Sequence, residues 1–450
     1  MKKAYSFLIV LVLSLALTGC KTSGELTFEL VSENLSTYKI GQEYIEYGFI
    51  AKSGAKDISN NVTITNNIDI NNYGDYEVTY TVDYKDISEE FTRKIYYREE
   101  LCNVNYVNGI TQCDIIWSEY LHTVVKIRLY YEENDMDGQI HDIFSGIEEI
   151  VQYYHIMSDK YTYYKTSRNV HYINENAGDT IVIDQELFDL IKFSLDHQPD
   201  VNNLFNIALG PVLKVWHEFR ENCNNDPTRT NCFVPTSIQL NNQKPYTDPS
   251  KIILDEEAVS ITLEENMSID LGGVSKGYIS DKILEYIDQF NLSGYLINNG
   301  ESNISIGGTH PTRENDKFLL AVKDPSYDFF TSPDTWKTYY ATVYIGAGEQ
   351  LVTSGDYQQF YEVDGELYHH IIHNDTLFPE RYCRSVSIVH TDPALADIYS
   401  TAIFLMPISE GVAFVDSIDG LEAIWFGLDG TISYSENFEA NYLDKLYNQE

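Results

Sequence analysis

The sequence predicts two architectures in one chain: a small all-β sandwich, then a larger α+β domain. Three observations carry that reading. The chain has 450 residues, and one hydrophobic core usually serves roughly 100 to 200. From Leu26 to about Tyr97 the pattern is short, alternating and β-branched, broken by Gly, Asn and Asp turns. Beyond it, strands and helices mix irregularly with no regular βαβ repeat. A hydrophobic fraction of 43% against 22% charged residues is that of a globular protein, so disorder is not the default.

The elements follow in chain order. Lys2 and Lys3, an apolar run from Phe7 to Leu17, and Leu17-Thr18-Gly19-Cys20 form an export signal over residues 1–20. The run is too short to span a bilayer. Its ending resembles a bacterial lipobox, which implies acylation of Cys20 and a lipoprotein held at the outer face of the cell membrane. Export permits disulfides. Cys102 with Cys113 and Cys223 with Cys232 are near enough to close short loops, leaving Cys383 unpaired, although connectivity cannot be read from spacing. Neither pair has the C-x₂₋₄-C spacing of a zinc knuckle.

Residues 21–98 contain Asn61-Val62-Thr63-Ile64-Thr65 and Tyr76-Glu77-Val78-Thr79-Tyr80-Thr81-Val82, both with strand alternation. This segment resembles the Ig-like modules of bacterial surface proteins, most closely at Tyr73-Gly74-Asp75-Tyr76-Glu77-Val78, and, holding no catalytic constellation, it reads as a spacer. Residues 99–115 are polar and read as a linker. Residues 116–447 form the α+β domain, with strands such as Val124 to Tyr130 and Ser385 to Val389 and helices such as Ile143 to Tyr154 and Gln185 to Leu195. The Asn-rich stretch from Asn222 to Asn231 reads as a surface loop.

A formal charge of −39 and a pI near 4.4 exclude nucleic acid as a partner, because such binding draws its affinity from Lys and Arg on phosphates. A phosphate site here must use backbone N–H groups, a bound cation and a few placed basic side chains.

Three stretches carry chemistry. In Ser268-Ile269-Asp270-Leu271-Gly272-Gly273-Val274-Ser275-Lys276-Gly277-Tyr278 a strand enters, two glycines turn it, and a helix leaves with Ile279, Ile283, Leu284, Ile287 and Phe290 at amphipathic spacing. Free N–H groups at the helix start, with Lys276, suit a pyrophosphate, although a Gly-Gly-x-x-Lys turn by itself is more often only a turn. In Asp392-Pro393-Ala394-Leu395-Ala396-Asp397, Asp392 is an N-cap with Pro393 at the first helical position. Asp397 and Thr401 then share one helix face and could serve a hard cation such as Mg²⁺; an isolated pair would more often be structural. The third stretch is Thr353-Ser354-Gly355-Asp356-Tyr357, followed by His369-His370-Ile371-Ile372-His373. In a strand His369 and His373 would share a face about 13 Å apart, too far to chelate one metal. His370 would point the other way, either as a general base or as a hydrogen-bonded structural histidine.

In their order these stretches resemble the ApbE family of FAD:protein FMN transferases, over roughly Glu119 to Phe438. Phe205-Asn206-Ile207-Ala208-Leu209-Gly210-Pro211-Val212 with Trp216 adds to the resemblance. It implies an ApbE-like, T-fold-related catalytic domain. Mg²⁺ would be held by Asp397, Thr401 and the Gly273 carbonyl. Asp270, Gly272, Gly273, Lys276, Ser354, Gly355 and Asp356 would line the FAD site. His370 and Asp397 would act in catalysis, His370 as the base. The implied reaction moves FMN from FAD to a Thr or Ser hydroxyl of an exported target flavoprotein and releases AMP. Water in place of that hydroxyl would make an FAD pyrophosphatase; other readings are a flavin-binding lipoprotein without chemistry and an adhesion or scaffold lipoprotein. The chain departs from the family pattern at His373, where Asp is usual, at Glu301, where a second Gly is common, and at Leu121-His122-Thr123, where Met-Gly-Thr is usual.

Overall fold

The structure, a computed structural model, describes residues 26–447 apart from 31–36, 47, 55, 86, 99–101, 108, 119, 133–138 and 327–337. The expected export signal and Cys20 lie outside the described residues. Two compact units divide near Tyr97.

In the first unit, β1 (Leu26–Leu30) pairs antiparallel with β2 (Phe49–Ser53). β4 (Gly74–Tyr84) lies between β3 (Val62–Asn66) and β5 (Ile87–Arg98). Alternation along β4 buries Val78, Tyr80 and Val82 on one face. Phe28 joins the two ladders, its ring stacked on Phe91 at 4.4 Å and on Phe49 at 5.6 Å. Among its described residues the sandwich contains no group of three or more His, Cys, Asp or Glu side chains placed to hold a metal ion.

The second unit is built on a sheet with nine strands among the described residues, in the order β16-β15-β14-β11-β10-β9-β8-β7-β6, every neighbouring pair antiparallel. These are β6 (Asn103–Val107), β7 (Ile110–Trp117), β8 (Val125–Glu132), β9 (Gly294–Asn299), β10 (Asn303–Gly308), β11 (Gln350–Gly355), β14 (Cys383–His390), β15 (Glu422–Gly427) and β16 (Ile432–Tyr434). The hairpin β12 (Phe360–Val363) and β13 (Glu366–His369) leaves the meander after β11. Between β8 and β9 come α1 (Ile140–Ser158), α2 (Gln185–His197), α3 (Gly210–Asn224) and α4 (Ser275–Ile287); α5 (Pro393–Phe404) follows β14. Both faces of the central strands are buried. Ile127, Leu129, Val352, Ile388 and Trp425 pack toward the helices, while Tyr130, Leu351, Val389 and Phe426 pack against a three-stranded sheet of Phe318–Lys323, Tyr339–Ile345 and Leu443–Leu446. Two-sided burial explains the mixed α+β pattern without a parallel repeat.

Three expectations change. The stretch read as a linker, 99–115, supplies β6 and most of β7, fastened by the Cys102–Cys113 disulfide. It reads as polar because β6 is the edge strand and leaves Asn103, Asn105 and Tyr106 exposed, while β7, paired on both sides, buries Thr111 and Cys113 on one face. The segment before Gly272 is not a strand. Its extended backbone is held by the Asn174 amide, which accepts from Ile269 N–H at 2.7 Å and donates to the Ile269 carbonyl at 2.9 Å, and Asp270 N–H donates to the Ile207 carbonyl at 2.8 Å. The Asn-rich stretch is partly the last turn of α3, closed by the Cys223–Cys232 disulfide, while Asp226 gathers the hydroxyls of Thr228 and Thr230. Cys383 is a buried free thiol.

α4 lies between α1 and α5, and α5 rests on β11 and β14. The closest approach is at Gly277, where an added Cβ would sit 2.1 Å from the Pro393 carbonyl oxygen and 2.9 Å from Asp397 Cβ. Alanine is favoured over glycine by about 1 kcal/mol inside a helix, but a backbone clash of this depth costs about 3 kcal/mol or more. Gly277→Ala is therefore expected to lower stability by about 2 kcal/mol in urea denaturation; an unchanged midpoint would refute the close crossing.

Candidate functional site

The first turn of α4 carries backbone N–H groups with no partner inside the helix. One is Gly277 N–H, which donates to Asp397 Oδ2 of α5 at 3.0 Å. Asp397 is 5% exposed, so the bond is buried and its charge sits where the helix dipole favours an anion. α5 starts as its sequence dictates: Asp392 accepts from Leu395 N–H at 2.8 Å, and Pro393 takes the first helical position. One turn after Asp397, the Thr401 hydroxyl donates to the Asp397 carbonyl at 3.1 Å and that of Ser400 does so at 3.0 Å. The Thr401 Oγ1 lies 3.5 Å from where a Cβ on Gly273 would stand. The glycine turn and the Asp397–Thr401 face therefore meet.

They meet at a cleft of about 300 Å³ lined, among others, by Asp270, Gly272, Gly273, Lys276, Ser354, Gly355, His370, Asp397 and Thr401. The Ser354 and Ser400 hydroxyls are 3.0 Å apart, tying the end of β11 to α5. Asp270 accepts from Gly272 N–H at 2.8 Å through Oδ1 and pairs through Oδ2 with Lys160. Burial alone would raise the Asp270 carboxyl, but the Lys160 ammonium and these hydrogen bonds hold it below its usual range. Among the described residues no three His, Cys, Asp or Glu side chains converge as metal ligands.

Asp356 is placed differently from its expected role. It is not among the described residues lining the cleft; it pairs with Arg384 Nε at 2.6 Å, and its N–H donates to the Arg384 carbonyl at 3.0 Å. Burial pushes its carboxyl up despite that arginine, and Oδ1 has no partner. It fastens β11 to β14 at the rim.

The histidines separate by environment. His369 is buried at the end of β13, with Nε2 against the Glu380 carbonyl at 2.8 Å and Nδ1 accepting from Ile371 N–H at 3.2 Å, which makes it structural. His370 faces the cleft with Nδ1 unpartnered, and burial, with His369, Lys276 and Arg220 nearby, pushes it down to about 3. It is a neutral imidazole with a free lone pair. His373 lies in a turn, not a strand, and its Nδ1 accepts from Asp375 N–H at 3.1 Å. That is the turn-closing bond a carboxylate would make, so the departure from Asp keeps the backbone role. Glu301 and His122 stand where the family has glycine, and both adopt the left-handed conformation, with φ of 61° and 52°. His122 lines the cleft, its ring 5.4 Å from that of His155.

The motifs missed Lys160, Arg220, Ser302 and Asn374, and Asn206 stood in a quoted motif without a site role; all five line the cleft. Lys160 comes from an irregular loop after α1 and meets Asp270 across 110 residues, so no local spacing signals it. Trp216 is buried as a support. Its indole N–H donates to the Leu377 carbonyl at 2.9 Å and its ring stacks on Tyr368 of β13, holding the hairpin beside α3.

Comparison with known proteins gives the family and the fold. The family model described as ApbE family matches residues 121–425, and that of the bacterial surface protein Ig-like domain matches 28–96. An FAD:protein FMN transferase of Klebsiella pneumoniae is 26% identical over 309 residues, covering 67% of this chain and 85% of its own length. One from Treponema pallidum is 25% identical over 293 residues, covering 58% and 72%. The fold is shared with the ApbE protein of Thermotoga maritima, at TM-score 0.60 and 22% identity over 73% of this chain and 98% of that one. It is shared with the flavin transferase ApbE of Vibrio cholerae at 0.59 and 18%, over 73% and 99%.

Burial pushes His155 and His369 down to about 4 each. The unfolded chain binds these protons near pH 6.5, so the stability from keeping the rings neutral is fully present above that pH and is lost as pH falls toward 4. Each histidine removes about 2 kcal/mol between pH 7 and 5. Relief of repulsion among the acidic side chains acts in the opposite direction, so the readout is a difference. Stability measured in urea should fall less steeply between pH 7 and 5 in His369→Gln than in the wild type, and equal slopes would contradict a neutral His369.

Proposed function

Because the chain belongs to the ApbE family, we propose that it transfers FMN from FAD to a Thr or Ser hydroxyl of an exported protein, releases AMP, and uses Mg²⁺. The observation that carries this reading is the meeting of the Gly272-Gly273 turn, Lys276, Asp397 and Thr401 at one cleft. The donor set fits the metal. Asp397 commits only Oδ2 to the helix, leaving Oδ1 for a cation, and Thr401 and the Gly273 carbonyl add neutral oxygens. Few protein oxygens and room for phosphate are what Mg²⁺ accepts. Bound there, it would neutralise charge on the diphosphate and template the displacement.

The chain's own residues supply the rest. Lys276 and the start of α4 receive the phosphate groups. The acceptor hydroxyl oxygen forms its bond to the FMN phosphorus as the anhydride bond to AMP breaks, and the hydroxyl proton goes to His370 Nδ1. Lys276 and Arg220 contribute to depressing that imidazole; a diphosphate countering them would make it a better base near neutral pH. Alignment and charge neutralisation, more than covalent chemistry, then account for the rate. Acylation at Cys20 would hold the enzyme at the outer face of the membrane, with the Ig-like unit as spacer.

Purified protein incubated with FAD, Mg²⁺ and a candidate exported flavoprotein is expected to give a covalent flavin adduct by mass spectrometry. Free FMN and AMP alone would identify a pyrophosphatase, and intact FAD a flavin-binding lipoprotein. Asp397→Asn keeps an acceptor for Gly277 N–H while removing the charge. It should preserve the fold and reduce transfer at least about a hundredfold; transfer at the wild-type rate would overturn the metal assignment.

A further inference from the structure

Among the described residues, three Lys or Arg side chains line the cleft: Lys160, Arg220 and Lys276. Lys160 is committed to Asp270, and Lys276 stands beside the glycine turn that receives the diphosphate. Arg220 has no such assignment. It shares one face of α3 with Leu213, Trp216 and His217, at helical spacing, and all four line the cleft. Trp216, one turn earlier, stacks on Tyr368 at 5.8 Å, and Tyr368 stands two residues before His370. That stack draws the Arg220 face of α3 toward the proposed base. The guanidinium itself is held at one end and free at the other. Nη2 donates to His217 Nδ1 at 2.9 Å, and Nε reaches Glu221 Oε1 at 3.4 Å. Arginine only donates, so the His217 Nδ1 carries the lone pair and that ring is neutral. Nη1 makes no hydrogen bond to a described residue and is not sealed from solvent.

Resting on the reading of this cleft as the FAD site, we propose that Arg220 binds the FMN phosphate of FAD, the group that is transferred, and neutralises charge on its non-bridging oxygens. The Arg220 side chain is 13% exposed and that of Glu221 44%, so the carboxylate beside the guanidinium sits largely in water and offsets its charge weakly. A cation so placed calls for an anion. A guanidinium whose plane is fixed at Nη2 and whose Nη1 stays free suits the oxygens of a phosphate. The FMN half is favoured by the base. A group that takes the acceptor proton lies within hydrogen-bond reach of the attacking oxygen, which is itself joining that phosphorus. Arg220 belongs to the same group of charges: after burial and His369, Lys276 and Arg220 are what push the His370 imidazole down. An arginine serving only the fold is committed differently. Arg384 shows the contrast, with Nε on buried Asp356 and Nη2 donating to the Pro325 carbonyl at 2.8 Å.

Ligand pairs that differ only by a phosphate separate this role from a structural one without an activity assay. The full chain is titrated calorimetrically, with Mg²⁺ present, by FMN and riboflavin and by AMP and adenosine. The wild type is expected to bind FMN at least about tenfold more tightly than riboflavin. Arg220→Gln, which keeps a side-chain N–H donor, should weaken FMN at least about tenfold and leave riboflavin within about twofold. Arg220→Lys should recover part of the loss, and the AMP-to-adenosine ratio should stay within about threefold of wild type in both variants. Equal weakening of FMN and riboflavin would mark a structural arginine, and loss of the AMP preference instead would put Arg220 on the other phosphate; either overturns the proposal. Phenylglyoxal labelling of the wild type, mapped by mass spectrometry, answers the question even if neither variant folds. FMN should protect Arg220 and riboflavin should not; equal protection by both would refute the phosphate contact. A wild type that binds neither FAD nor FMN would overturn the flavin reading together with this one.

Discussion

A single buried hydrogen bond, from Gly277 N–H to Asp397 Oδ2, joins two helix starts that are 120 residues apart in the chain. It answers two needs at once. The first turn of α4 has donors that the helix cannot satisfy, and the buried carboxylate of α5 needs hydrogen-bond partners. Each would be costly without the other. The contact is possible only because residue 277 has no side chain, which lets α4 reach the Pro393 carbonyl. From this crossing follow the position of the glycine turn, the nearness of Thr401 to Gly273, and the direction in which the uncommitted Asp397 oxygen is offered.

Charge in the cleft is arranged against the character of the whole molecule. The chain carries a formal charge of −39, yet Lys160, Lys276 and Arg220 line the same cleft. Local placement decides phosphate binding more than net charge does, because surface charges beyond about 10 Å are screened by salt while groups within a cleft are not. The surrounding acidity still has a physical effect. It lowers the rate at which polyanions approach and leaves small, metal-neutralised ligands at an advantage.

The departures from the family pattern concern side chains whose tasks can be taken over by another residue. His373 closes its turn through Nδ1, and Glu301 and His122 accept left-handed backbone in place of glycine, which costs roughly 1 to 2 kcal/mol each. The groups at the crossing are less replaceable: Asp397 accepts a backbone N–H from another helix, and only glycine fits at 277.

Composition and local pattern determined much of this protein. The β-sandwich, the mixed second domain, the two neighbouring cysteine pairs, the N-cap of α5 and the glycine turn before α4 are all written in stretches of about ten residues, because capping, alternation and turn chemistry act over that range. Motif order was enough to indicate which distant segments belong to one site. Tertiary structure decided what those segments do with their charges. Asp356 looked like a ligand-binding carboxylate and is committed to Arg384, residues 99–115 looked like a linker and supply the edge strand β6 and most of β7, and Lys160 carried no signal yet pairs with Asp270. The physical reason is common to all three: a side chain's role is set by which partner neutralises it and which face is buried, and both are properties of neighbours brought from far along the chain.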